Sequence, residues 1–168
     1  ICLPVLFTAT PSARDLTPAA VNPACISFAL AAPFSNTKAI TVEPRKPDSA
    51  RLEDVPEPDT RDGSILVEAI AVGVCGTDVE IVEGKYGWAP PGKSRIVLGH
   101  ESLGRVLEVG QGVAGETEIG QLVVVTIRRP GGSAYDRIGR PDLSTEAIFI
   151  ETGISRAHGF MTEEVVAD

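Results

Sequence analysis

Residues 64–80 read SILVEAIAVGVCGTDVE. The first nine (SILVEAIAV) form a β-branched, apolar run of strand length. The next eight (GVCGTDVE) follow without a break as a glycine-bounded turn that gathers a thiol (Cys75), a hydroxyl (Thr77) and a carboxylate (Asp78) within four residues. A strand that delivers reactive side chains at its end is the usual way for a rigid scaffold to present a site.

The surrounding punctuation is that of a β domain. Short apolar runs at 104–109 (GRVLEV) and 121–127 (QLVVVTI) are separated by Gly and Pro turns, and helix signals are scarce before the end. The first regular pattern begins at Lys38 (KAITVEP). Residues 55–58 (VPEP) read as an extended linker, because proline fixes φ and biases its predecessor away from the helix. A glycine-rich segment at 110–115 (GQGVAG) matches the dinucleotide pattern G-x-G-x-x-G. That fingerprint needs a helix after the last glycine to receive pyrophosphate. Here the chain runs on to Val123, Val124 and Val125, a strand, so the segment reads as a loop between strands.

Residues 1–36 form a separate compositional zone, rich in Ala and Pro, with Arg14 and Asp15 as their charges. Poor order is expected there, with a domain over 37–168. Residues 25–32 (CISFALAA) have the short apolar core of a signal peptide but lack the basic residues that precede one. An upstream extension or artefact is the preferred reading, and the opening Ile1 agrees with it.

Length and charge narrow the function classes. At 168 residues, 43% of them hydrophobic, the chain has room for one domain with a real core. Its 15 Lys and Arg against 23 Asp and Glu give a formal charge of -8, which repels nucleic acid and anionic membranes. No apolar run approaches the roughly 20 residues that span a bilayer. The three cysteines, Cys2, Cys25 and Cys75, are too sparse for a disulfide framework. A cytoplasmic setting is expected.

A second cluster, residues 97–101 (VLGHE), puts His100 and Glu101 side by side after another apolar run. Alone, Cys75 reads sooner as a small buried hydrophobe. Together, Cys75, His100 and Glu101 supply the sulfur, nitrogen and oxygen donors of a catalytic zinc site with one position left open. Asp78 is placed to fix the His100 tautomer from the second layer, and Thr77 to pass on a proton.

GVCGTD followed by VLGHE, over about residues 38–168, resembles the catalytic domain of zinc-dependent medium-chain alcohol and polyol dehydrogenases. The resemblance implies a mainly β, GroES-like, partly open barrel with few short helices. It implies Cys75, His100 and Glu101 as zinc ligands, Thr77 as proton relay, and NAD(P) as hydride acceptor in a further domain that this chain stops before. Residues 127–130 (IRRP), 139–142 (GRPD) and 158–163 (HGFMTE) are similar to the glucose 1-dehydrogenase branch, where the glutamate ahead of the Gly-Ile pair, here Glu151, lies near the sugar hydroxyls. Glu151 reads equally as a solvated loop carboxylate.

Relatives often hold a second, structural zinc with four cysteines in the lobe between IRRP and GRPD. Here Ser133, Asp136 and Ser144 stand at three of the apparent positions, so one zinc is expected, with the loop 131–146 mobile or held by other contacts. The expected protein is thus an oxidoreductase domain acting on a sugar or polyol, inactive alone. The alternative is a non-enzymatic zinc-binding or interaction module. Self-association is expected through apolar surface that a cofactor domain would cover.

Overall fold

The computed structural model describes residues 36–58, 60, 64–113 and 117–167, together with the backbone of 3–5. The expectation for residues 1–36 lies almost wholly outside the described residues. Within it, Leu3–Val5 forms β1, and Asn36 opens β2 (Asn36–Val42).

Among the described residues eleven strands fall into three sheets, the mainly β architecture expected from the sequence. The first is organised on β4 (Ile65–Val74), the strand read from SILVEAIAV. Antiparallel to β4 run β1 at its C-terminal end, β11 (Glu164–Ala167) along its first half, and β6 (Glu101–Val109) on the other side. β7 (Leu122–Val123) continues the sheet beyond β6. The β4–β6 register shifts at Leu66/Val67 and again at Ala69/Ala71. Such irregularities bend a strand and break strict alternation, and Leu66 and Val67 are accordingly both buried.

The second sheet has the order β3–β2–β5, with β3 at Arg51–Pro56 and β5 at Ile96–Val97. The VPEP segment read as a linker is therefore corrected in its first half: Val55 and Pro56 pair with Thr37 and Asn36. Pro56 is tolerated because β3 is an edge strand and Pro56 is its last residue. Arg95 ties this sheet together. It is nearly buried, donates to Thr41 Oγ1, Thr41 O and Ser49 O, and pairs with Glu43 and Glu53.

The third sheet, β10–β9–β8, joins Arg128–Arg129 (β8), Ile150–Thr152 (β9) and Arg156–Ala157 (β10). Of the run QLVVVTI, only Leu122 and Val123 pair as strand, and Val124 stands 73% exposed. Residues 110–113 leave β6 as a turn, and the rest of GQGVAG lies outside the described residues.

The turn expected at GVCGTDVE is corrected to a helix, α1 (Gly76–Val82). Its ends explain why it forms. Asp78 at the third position accepts a hydrogen bond from Cys75 N (3.0 Å), satisfying a donor at the helix start. At the other end Gly84 takes φ +76, and Gly84 N donates to Ile81 O while Lys85 N donates to Glu80 O. This double bond pattern closes a helix over a left-handed glycine. Ile81 is fully buried and anchors α1 in a core with Val42, Ile96, Leu98 and Ile154. Burying such a side chain contributes roughly 1.5–3 kcal/mol, more than a helix this short supplies by itself.

The loop 131–146 carries two 3-10 turns, Asp136–Ile138 and Pro141–Leu143, and is held by hydrogen bonds. Asp136 Oδ2 accepts from Gly131 N (3.0 Å) and Ser133 N (2.5 Å), and Asp136 N donates to Ser133 Oγ (3.1 Å). Two of the positions that lack cysteine thus tether the loop to each other.

Candidate metal centre

Two elements meet at the centre. β4 runs into α1 and delivers Cys75 and Asp78, while the turn after β5 delivers His100 and leads into β6 at Glu101. Because β4 and β6 are paired, with Gly73 opposite Glu101, two segments 25 residues apart are brought side by side.

Cys75 Sγ lies 3.1 Å from His100 Nε2. On the other edge of the ring, His100 Nδ1 lies 3.5 Å from Asp78 Oδ1. Donor atoms of Cys75, Asp78 and His100 all fall within 4.8 Å of one another. Asp78 and His100 are 2% and 6% exposed, so the pair is shielded from water. The neighbouring carboxylate raises the His100 pKa to about 9, and the Cys75 sulfur adds to the effect against the opposing cost of burial. Burial works to raise the Asp78 pKa, but the imidazole of His100 3.5 Å away and the hydrogen bond from the Cys75 backbone outweigh it and lower the value.

The donor set suits zinc. Sγ and Nε2 face each other, and two ligands on a tetrahedral zinc stand about 3.5 Å apart, a small opening from the 3.1 Å observed. Asp78 Oδ1 and His100 Nδ1 are both buried without a hydrogen-bond partner among the described residues. Metal-ligating histidines usually direct the second nitrogen at a carboxylate in this way.

The other expected residues are placed differently. Glu101 is half-buried beside the centre but is not among the clustered donors. Its carboxylate lies over Gly73, where a Cβ would come within 2.4 Å of Glu101 Oε2, so the glycine makes room for it. Thr77 is half-buried in the first turn of α1. Glu151 lies on β9, on the wall of a cleft of about 960 Å³ that also takes in His100 and Glu101. Arg128, which sequence reading leaves without a role, pairs with Glu151 at 2.8 Å. Their contact spans 23 residues of chain, and no local pattern announces it.

A family model described as "Alcohol dehydrogenase GroES-like domain" matches residues 61–168. Over 131 residues the chain is 45% identical to glucose 1-dehydrogenase 1 of Caldivirga maquilingensis, covering 78% of this chain and 36% of that protein. Glucose 1-dehydrogenase of Thermoproteus tenax is 44% identical over 131 residues with the same coverage, 78% and 36%. Among solved structures, Haloferax mediterranei glucose dehydrogenase in complex with NADP, Zn and gluconolactone matches with a TM-score of 0.70 at 38% identity, covering 77% of this chain and 36% of that one. The chain spans about 36% of the length of these relatives.

Proposed function

The chain belongs to the alcohol dehydrogenase GroES-like domain family, and from that premise we propose that it is the zinc-binding catalytic domain of an NAD(P)-linked oxidoreductase acting on a CH–OH group of a sugar or polyol. The observation that carries this reading is the Cys75–His100–Asp78 cluster, with His100 and Asp78 buried and Cys75 half-buried, set beside a cleft walled by Glu101 and Glu151. Glucose 1-dehydrogenases stand among the relatives above 40% identity, which favours a sugar over a simple alcohol.

Cys75 and His100 would hold the metal, with Glu101 as a third or exchanging ligand and Asp78 fixing the imidazole from behind. Bound there, zinc supplies Lewis acidity that lowers the pKa of a substrate hydroxyl. Thr77 takes up the released proton at its Oγ1 and passes it outward, and Glu151 orients the sugar by accepting from its hydroxyls. His100 and Asp78 are themselves buried, which strengthens the contact between them.

Hydride transfer requires a nicotinamide held at the reacting carbon, so this chain alone is expected not to turn over. Zinc titration of the purified chain, followed by assay with glucose and NADP, tests both halves of the reading. One tightly bound zinc that is lost in Cys75→Ala and His100→Ala is expected, with no steady NADPH formation. Undiminished zinc binding in both variants refutes the metal assignment, and sustained turnover refutes the expected dependence on a further domain.

A further inference from the structure

Arg128 and Glu151 are directly opposite residues of the antiparallel β8–β9 pair, and such neighbours project to the same face of a sheet. Arg128 Nε and Nη2 both donate to a single oxygen, Glu151 Oε1, at 3.0 and 2.8 Å. An arginine fork usually engages both oxygens of a carboxylate. Here Glu151 Oε2 has no hydrogen-bond partner among the described residues, nor is it one of the buried unpartnered atoms. The guanidinium is fixed from a third direction, 4.5 Å from the centroid of the Phe149 ring, a contact that holds a planar cation in place. Both side chains are mostly buried, at 24% and 19% exposure, and both line the cleft that contains His100.

This arrangement sets an oriented acceptor, Glu151 Oε2, beside a donor, since a guanidinium carries five N–H groups and only two are used by Glu151. A vicinal diol is the matching ligand: one hydroxyl donates to Glu151 Oε2 while its neighbour accepts from Arg128. We propose that Arg128 is a specificity-determining residue, which positions Glu151 and with it selects vicinal diols over isolated alcohols. The inference rests on the sugar or polyol reading of the same cleft. A site built to hydrogen-bond a hydroxyl discriminates strongly against an analogue that lacks it, because its own polar groups are then left unpaired.

The test is saturation-transfer NMR on the zinc-loaded chain with D-glucose, 2-deoxy-D-glucose and 3-deoxy-D-glucose, for wild type, Arg128→Lys and Arg128→Met. Wild type is expected to bind glucose about tenfold or more tightly than at least one deoxy sugar. In Arg128→Met glucose weakens to the level of the deoxy sugars. Lysine keeps the charge but not the fork, so Arg128→Lys also loses the discrimination, and this milder change guards against a folding defect in the methionine variant. Undiminished discrimination in both variants overturns the role of Arg128 and leaves the sugar reading standing. If wild type takes up zinc but binds none of the three sugars, the sugar reading fails and this inference with it.

Discussion

Replacing Asp78 by asparagine should change the pH dependence of zinc binding more than it changes the affinity at neutral pH. The Asp78 carboxylate beside His100 pushes its pKa up to about 9, and only the neutral imidazole ligates metal. Zinc must therefore displace a proton, and its apparent affinity rises with pH up to about 9. The competition factor, one plus ten to the power of pKa minus pH, falls about 50-fold between pH 7 and pH 9 for a pKa of about 9. In Asp78→Asn the pKa returns toward its ordinary 6.5, and the same interval then changes affinity by only about 1.3-fold through His100. Removing an outer-layer carboxylate costs about 10–100-fold in intrinsic metal affinity. The two effects nearly cancel at pH 7, so the variant should match wild type there and fall well behind it at pH 9. Competition with a chromophoric chelator across this range gives both curves. The quantity to read is the difference in slope between the two proteins, about 40-fold over the interval. Parallel curves for the two proteins would refute the assignment of Asp78 as the partner that holds the His100 proton.

Three further outcomes are expected. Ile81→Ala opens a cavity beneath α1, where Ile81 is fully buried. It should lower unfolding stability by about 3 kcal/mol in urea titration and weaken zinc binding, because the same helix carries Asp78. Asp136→Ala removes the acceptor for Gly131 N and Ser133 N, so amide exchange at Gly131 and Ser133 should accelerate while exchange along β4 stays unchanged. Gly73→Ala places a Cβ against the Glu101 carboxylate. If Glu101 is a third ligand, the variant's zinc affinity falls about as far as that of Glu101→Ala, and equal affinity in wild type and both variants removes Glu101 from the ligand set.

The strand β4 and the pairing of Cys75 with His100 were legible in the sequence because each lies within one short motif: an apolar run is read locally, and so is the residue at its end. Helix α1 was not legible. Its residues include glycine and the β-branched Val79, Ile81 and Val82, poor helix formers that burial of Ile81 and the bonds at both ends override. The signals that would have disclosed it were Asp78 three residues after Cys75 and Gly84 just past the last turn. Pro56 argued for a linker until the hairpin placed it on an outer strand. The Arg128–Glu151 pair was hidden for a different reason: the intervening lobe separates the two strands, and only tertiary folding makes them neighbours. Ser133 and Asp136 were read through the thiols they lack, whereas the structure gives them a tethering role of their own.

Zinc-edge X-ray absorption on the metal-loaded chain, with stoichiometry measured on the same sample, tests the Cys75–His100 centre most directly. One zinc per chain is expected, with a single sulfur neighbour at about 2.3 Å and the remaining ligands nitrogen or oxygen near 2.0–2.2 Å, the sulfur disappearing in Cys75→Ala. A zinc shell without sulfur in the wild-type chain would contradict the centre described here.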